Sequence, residues 1–211
     1  MADVELQGTT CLDWEDIPVN MEDGISYIYL ADIGDNFFVR NITFPPFRVD
    51  TFFPPRSTLT IYKFKEPEVS DDWNGHDIMI GSQEIEHIHI KYPDHAYDCE
   101  AMAVDPFNGD ILLFTKSHNH NESKVFKVPH GWDNPKTLEY VATLPYMLVT
   151  GADISPSGDT LALTNYGEGW SWHKPDGHKR PWADFLKTRP TSCSLTLKQE
   201  LQREAITVTD R

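Results

Sequence analysis

Basic residues are scarce in this chain. Lys and Arg total 18 against 33 Asp and Glu, so its 211 residues carry a formal charge of −15. Nucleic-acid affinity rests on Lys and Arg that neutralise phosphates, so this balance excludes a general nucleic-acid binder. The same deficit argues against docking on an anionic membrane surface. Long apolar runs are missing too, with none near the ~18 residues that span a bilayer. Met1 to Asp16 lacks the basic-then-apolar pattern of a signal peptide. Cysteine is sparse: Cys11, Cys99 and Cys193 lie far apart and form no CxxC pair, which excludes zinc-knuckle and thioredoxin-type motifs. One internal disulfide is the most they allow. There is no G-x-S-x-G nucleophile turn and no Gly-rich phosphate loop. The charge favours a cationic partner, either a metal ion or a basic group.

Aromatics make up 12 % of the chain, with six Trp, too many for a disordered segment. Fifteen Pro and twelve Gly are spread throughout, which predicts many short strands joined by turns. An internal repeat organises them. Asp13-Trp14-Glu15-Asp16-Ile17, Asp98-Cys99-Glu100-Ala101-Met102 and Arg203-Glu204-Ala205-Ile206 are alike, and Thr150-Gly151-Ala152-Asp153-Ile154 is a weaker copy. The slots Glu15, Glu100, Thr150 and Glu204 lie 85, 50 and 54 residues apart.

Each copy opens a unit of four predicted strands. In the clearest unit these are 100–105, 110–115, 124–128 and 138–144, with Asn108-Gly109 as the hairpin turn after the first. The next unit reads 152–155, 160–164, 169–173 and 194–197. The first reads 14–19, 27–32, 58–64 and 84–91, stretched by insertions at 36–57 and 69–83. Four short strands per ~50 residues is the spacing of β-propeller blades, and an antiparallel sandwich is the alternative. The expected fold is therefore all-β, a partial β-propeller. A lead at 1–12 precedes blades at 13–97, 98–147 and 148–202, and a stub at 203–211 supplies the first strand of a fourth. Closing a ring takes four to eight blades. The chain therefore reads as a segment of a longer protein, or as a piece that self-associates through open sheet edges.

The strings DWEDI, YLADIGDN, IYKFKEP, DCEAMAVDPFNGD, LLFTKS and VTGADISPSGDTLAL, in this order, resemble a group of often secreted, bacterial-type β-propeller proteins. The resemblance runs from about residue 13 to residue 210. More distantly the chain is similar to six-bladed propellers of the phytase-like, gluconolactonase and strictosidine-synthase kind. That similarity implies calcium in a central channel and an extracellular setting for a full-length parent.

In a propeller the start of the first strand lies beside the end of the second, at one face of the disc. This groups Glu15 with Asp32, Asp35 and Asn36, Glu100 with Lys116, and Thr150 with Asn165, while Glu204 opens the last copy. Hard cations such as Ca²⁺ take several carboxylate and carbonyl oxygens. Glu15, Asp32, Asp35, Asn36, Glu100, Asn165 and Glu204 are accordingly the candidate metal ligands. Alternatively, these carboxylates accept backbone N–H bonds from a neighbouring blade or pair with Lys116 and Arg40. Asp153 sits three positions past the Glu slot and reaches the same face only across a bulge.

His95 enters the acidic mouth and is the candidate general base. His87 and His89 share one face of an outer strand, where solvent exposure competes with metal ligation. Trp170 and Trp172 share a face and either stack on a sugar or pack between blades. The apolar insertion 37–55 covers the mouth or meets a partner. The function read from this pattern is a module that binds a small molecule, glycan or protein through a Ca²⁺-holding acidic mouth. The competing reading is a calcium-dependent phosphoester, ester or lactone hydrolase with metal-activated water.

Overall fold

The computed structural model describes residues 3–35, 59–68, 77–118, 120–131, 134–175, 180–194 and 203–210, and the chain is all-β. The first sheet holds β2 (Trp14–Asp16), β3 (Val19–Glu22), β4 (Ile25–Asp32), β5 (Leu59–Lys65) and β7 (Glu86–Lys91). It runs antiparallel from β2 through β4 and β5 to β7, with β3 also on β4. Pro18 cannot donate to a ladder, and it splits the run expected at 14–19 into β2 and β3. A parallel pair, β1 (Val4–Leu6) with β6 (Ile78–Ile80), flanks this sheet. β7 begins two residues into the strand expected at 84–91, since Glu84 instead ends a 3₁₀ turn, Ser82–Glu84.

The second sheet is β8 (Cys99–Val104), β9 (Ile111–Thr115), β10 (Ser123–Val128) and β12 (Glu139–Leu144) in meander order. The short β11 (Lys136–Thr137) leaves it to pair in parallel with β7 of the first sheet. β7 is therefore flanked on both sides and is not an outer edge. The third sheet is β13 (Gly151–Ile154), β14 (Thr160–Thr164), β15 (Glu168–His173) and β16 (Thr191–Ser194), with the one-turn helix α1 (Trp182–Phe185) inserted before β16. β16 begins three residues before the strand expected at 194–197, and residues 195–197 lie outside the described residues. The insertion 36–57 lies outside them as well, and so does 69–76 of the second insertion.

The turn after β8 is built by its own side chains. Asp105 Oδ1 accepts the Phe107 N–H at 2.9 Å, and Asn108 Oδ1 accepts the Asp110 N–H at 2.8 Å. Gly109 closes the turn at φ +70°, a conformation that any side chain would strain. β8 is buried on both faces. Met102, Val104, Ile111 and Leu113 face the first sheet, where Ala31, Ile33, Ile61 and Ile90 meet them. Ala101, Ala103, Leu112 and Phe114 face the third sheet, against Leu161, Leu163, Trp170 and Trp172. Sheet two is thus sandwiched, which accounts for its near-continuous apolar strands. Burying side chains of this size is worth roughly 1.5–3 kcal/mol each.

β2, β8 and β13 lie side by side, so the first strands of the three sheets are neighbours. Asp16 Oδ2 on β2 accepts the Met102 N–H of β8 at 2.7 Å. Residues 203–210 repeat this arrangement on the third sheet without forming a strand. Asp153 Oδ2 accepts the Val208 N–H at 2.7 Å, Thr150 Oγ1 donates to the Arg203 carbonyl at 2.5 Å, and Asp210 Oδ1 accepts the Ser157 N–H at 3.0 Å. Gly151 permits the approach, because a Cβ there would sit 3.3 Å from the Ala205 Cα.

Candidate functional site

Two of the three Glu slots, Glu15 and Glu100, are β-bulges. Trp14 pairs with Asp32 and Asp16 with Ala31, which leaves Glu15 as the extra residue. Cys99 pairs with Thr115 and Ala101 with Phe114, which leaves Glu100 extra. The bulge has a visible effect on packing. Cys99 and Met102 face the first sheet while Ala101 faces the third, so the alternation changes phase at Glu100. Thr150 behaves similarly: its N–H donates to Thr164 O at 3.0 Å although Gly151 is the register partner of Thr164. The bulge frees each slot from the two faces and directs it along the strand ends.

Six carboxyl groups gather there: Asp13, Glu15, Asp32, Asp35, Asp98 and Glu100. Asp32, Asp35, Asp98 and Glu100 are buried, and Asp13 and Glu15 half-buried. Short backbone links hold them. The Asp13 N–H donates to Asp32 Oδ1 at 3.0 Å, and the Asp35 N–H to Asp98 Oδ1 at 2.9 Å. The Asp13 and Glu15 carboxyls are hydrogen-bonded to each other. Gly34 passes directly beneath this pair, and a Cβ at 34 would collide with Glu15 Oε1 and Asp13 Oδ2. In the sequence the Gly of DIGDN reads as a simple turn former, whereas here it makes room for two carboxyls.

One buried cation faces this group. Lys116 Nζ donates to Glu100 Oε2 at 2.5 Å, with side-chain exposures of 6 % and 5 %. Tyr166 bonds the same ammonium, which sits 5.4 Å from its ring centre. Burial works to lower the Lys116 pKa, but the Glu100 carboxylate and Tyr166 outweigh it and the net shift is upward. His118 stands half-exposed at the rim, its Nε2 3.7 Å from Asp98 Oδ2. That oxygen is fully buried and accepts no hydrogen bond among the described residues.

Charge crowding has a direct consequence. Loss of solvation, with Glu100, Asp13 and Asp98 alongside, pushes the Glu15 carboxyl up to about 9. Burial raises Glu100 to about 7 despite Lys116, with Asp98 and Glu204 adding to the rise. Burial also raises Asp98, opposed by the Asp35 N–H and Lys116. Burial and crowding thus favour the protonated form of Glu15.

The remaining expected residues sit as follows. Asn36 lies outside the described residues. Glu204 is exposed and contributes its field to Glu100. Asn165 is occupied in its own turn, donating to Met147 O at 3.1 Å and accepting from the Gly167 and Glu168 N–H groups at 2.9 and 2.7 Å. His95 is exposed, 3.3 Å from Asp94 and 4.2 Å from the Tyr97 ring. His89 Nδ1 meets Thr60 Oγ1 at 3.0 Å, and His87 packs on Tyr62 at 5.1 Å. Trp170 and Trp172 are buried between sheets two and three, with Tyr146 stacked on Trp170 at 4.1 Å. Asp13, Asp98, His118 and Tyr166 are the members that spacing alone missed. Asp98 was the most legible of them, since it stands two residues before a Glu slot just as Asp13 does.

As the side chains stand, no three His, Cys, Asp or Glu groups among the described residues converge at metal-ligating geometry. Neither a protein-family model nor a curated protein sequence matches this chain.

Proposed function

We propose that the chain is a binding module of the β-propeller kind whose acidic mouth takes a hard cation, with Ca²⁺ as the first candidate. The stacking of three antiparallel sheets with their first strands adjacent, and the placement of 203–210 beside the third, support the architecture. The observation that carries the function is the buried, unbonded Asp98 Oδ2 within six carboxyls that share one buried ammonium. A buried acceptor without a donor is costly, and a cation satisfies it. The donor set is oxygen-only, which suits Ca²⁺. Asp98, Asp35, Asp32 and Glu15 are the residues that would hold the ion, after side-chain movements that bring their oxygens together. Bound Ca²⁺ would supply positive charge for a carboxylate, phosphate or sugar hydroxyl of the ligand.

The test is thermal unfolding of chelator-treated protein with added calcium or magnesium, repeated on Asp98→Asn. A ligand that binds only the folded state raises stability by RT ln(1 + [L]/Kd), about 2.7 kcal/mol at a hundredfold excess over Kd. Calcium-specific stabilisation that Asp98→Asn abolishes is the expected result. A melting temperature indifferent to millimolar calcium would overturn the reading.

A further inference from the structure

A cavity of about 400 Å³ lies between the first two sheets, lined by Lys91, Pro129, His130, Asn134, Pro135, Lys136 and Thr137. It forms because β11 crosses over to β7, placing Lys136 opposite Ile90 and Thr137 opposite Lys91. Its polar groups are mostly donors. The Asn134 carbonyl oxygen is already used by the His89 N–H at 3.2 Å, so the amide NH₂ remains. Lys136 Nζ donates once, to the Gly131 carbonyl, and an ammonium has three protons to give. His130 is steadied by Asp110 at 2.8 Å.

In a chain of charge −15, lysines are expected to find carboxylates, as Lys63, Lys116 and Lys127 do. Among the described residues neither Lys91 nor Lys136 has one within 4.0 Å, although both line the same cavity. Two ammonium groups with no carboxylate partner among the described residues, and an amide NH₂, around a space of small-ligand size form a recognition site for an oxyanion.

We propose that this cavity binds a tetrahedral oxyanion, a phosphate or sulfate group. The cavity shares no lining residue with the acidic mouth, and the proposal does not depend on the cation reading. The test follows backbone amide shifts of His89, Ile90, Lys91, His130, Gly131, Asn134, Lys136 and Thr137 in the full chain during titration with sodium phosphate and sodium sulfate, with sodium chloride at matched ionic strength as the reference. The Lys91→Gln/Lys136→Gln double variant is titrated in parallel, and its unchanged melting temperature reports an intact fold. Phosphate or sulfate should shift these amides saturably where chloride does not. The double variant should bind about tenfold more weakly or worse, equivalent to about 1.4 kcal/mol. Methyl phosphate and methyl sulfate separate the sources: binding equal to the free ion assigns the end of an ester, and exclusion assigns the free ion. An equal response to chloride, or a double variant that binds as the parent does, overturns the proposal.

Discussion

Replacing Glu15 with Gln should stabilise this protein at alkaline pH, because it removes the ionisable group and leaves a hydrogen-bonding side chain of the same size. The reasoning starts from the Glu15 carboxyl, which crowding raises from an ordinary 4.5 to about 9 in the folded chain. Between those values the folded state holds a proton that the unfolded state has released. Stability contributed by Glu15 is therefore complete below about pH 4.5 and is lost progressively as pH rises towards 9. Each pH unit in that window corresponds to about 1.4 kcal/mol, so three units would give ~4 kcal/mol without relaxation. Glu15 is half-buried, and water and side-chain movement reduce the figure to roughly 1–2 kcal/mol. Gln is neutral at every pH and its NH₂ still donates to Asp13, so the variant lacks this slope. Urea unfolding at about pH 5.5 and about pH 8.5, with chelator present, measures the difference. The two proteins should be similar at the lower pH, with the variant ahead by roughly 1–2 kcal/mol at the higher. A variant that loses stability relative to the parent as pH rises would refute the crowding argument.

Lys116→Met removes the one buried cation of the mouth among the described residues and leaves Glu100 in low dielectric, so it should cost ~3 kcal/mol near pH 8. The loss should shrink below about pH 6, where Glu100 takes up a proton, and denaturation at the two pH values reads both. Phe114→Ala opens a cavity between sheets two and three, where Phe114 is wholly buried, and should cost ~3–5 kcal/mol in urea unfolding.

Much of the strand pattern was legible because it depends on local alternation and turn chemistry. Thr160–Thr164 was read to the residue and β9 to within one, because Ser157-Gly158 and Asn108-Gly109 punctuate them, and β10 was read to within one from its alternation. The expected strand at 204–210 did not form a ladder. Its sequence has the β-branched pattern of a first strand, but among the described residues it has no second strand to pair with, and side-chain bonds to the third sheet hold it instead. The split at Pro18 was available from the proline itself.

The candidate site was legible in a different way. The repeat put Glu15 and Glu100 in equivalent slots, and antiparallel pairing placed Lys116 beside Glu100, as the structure finds them. Sequence could not show that Asn165 would spend its side chain on its own turn, or that His95 would rest on Tyr97, since both depend on loop geometry. Nor could it show a second buried cation, Lys174, which lies 3.7 Å from Asp105 Oδ2 and over the Trp182 ring at 4.0 Å, where burial pushes its ammonium pKa down.

By itself, then, the sequence determined the all-β character, the repeat and the concentration of acid at the Glu slots, because strand period, turn residues and net charge are properties of neighbouring positions. The tertiary structure decided which carboxyls share a proton, which one meets Lys116 and which oxygen of Asp98 is left without a donor. Those outcomes rest on distances of a few ångströms between segments as remote as Asp13, Asp35 and Asp98, and on how much water the packed sheets exclude from each.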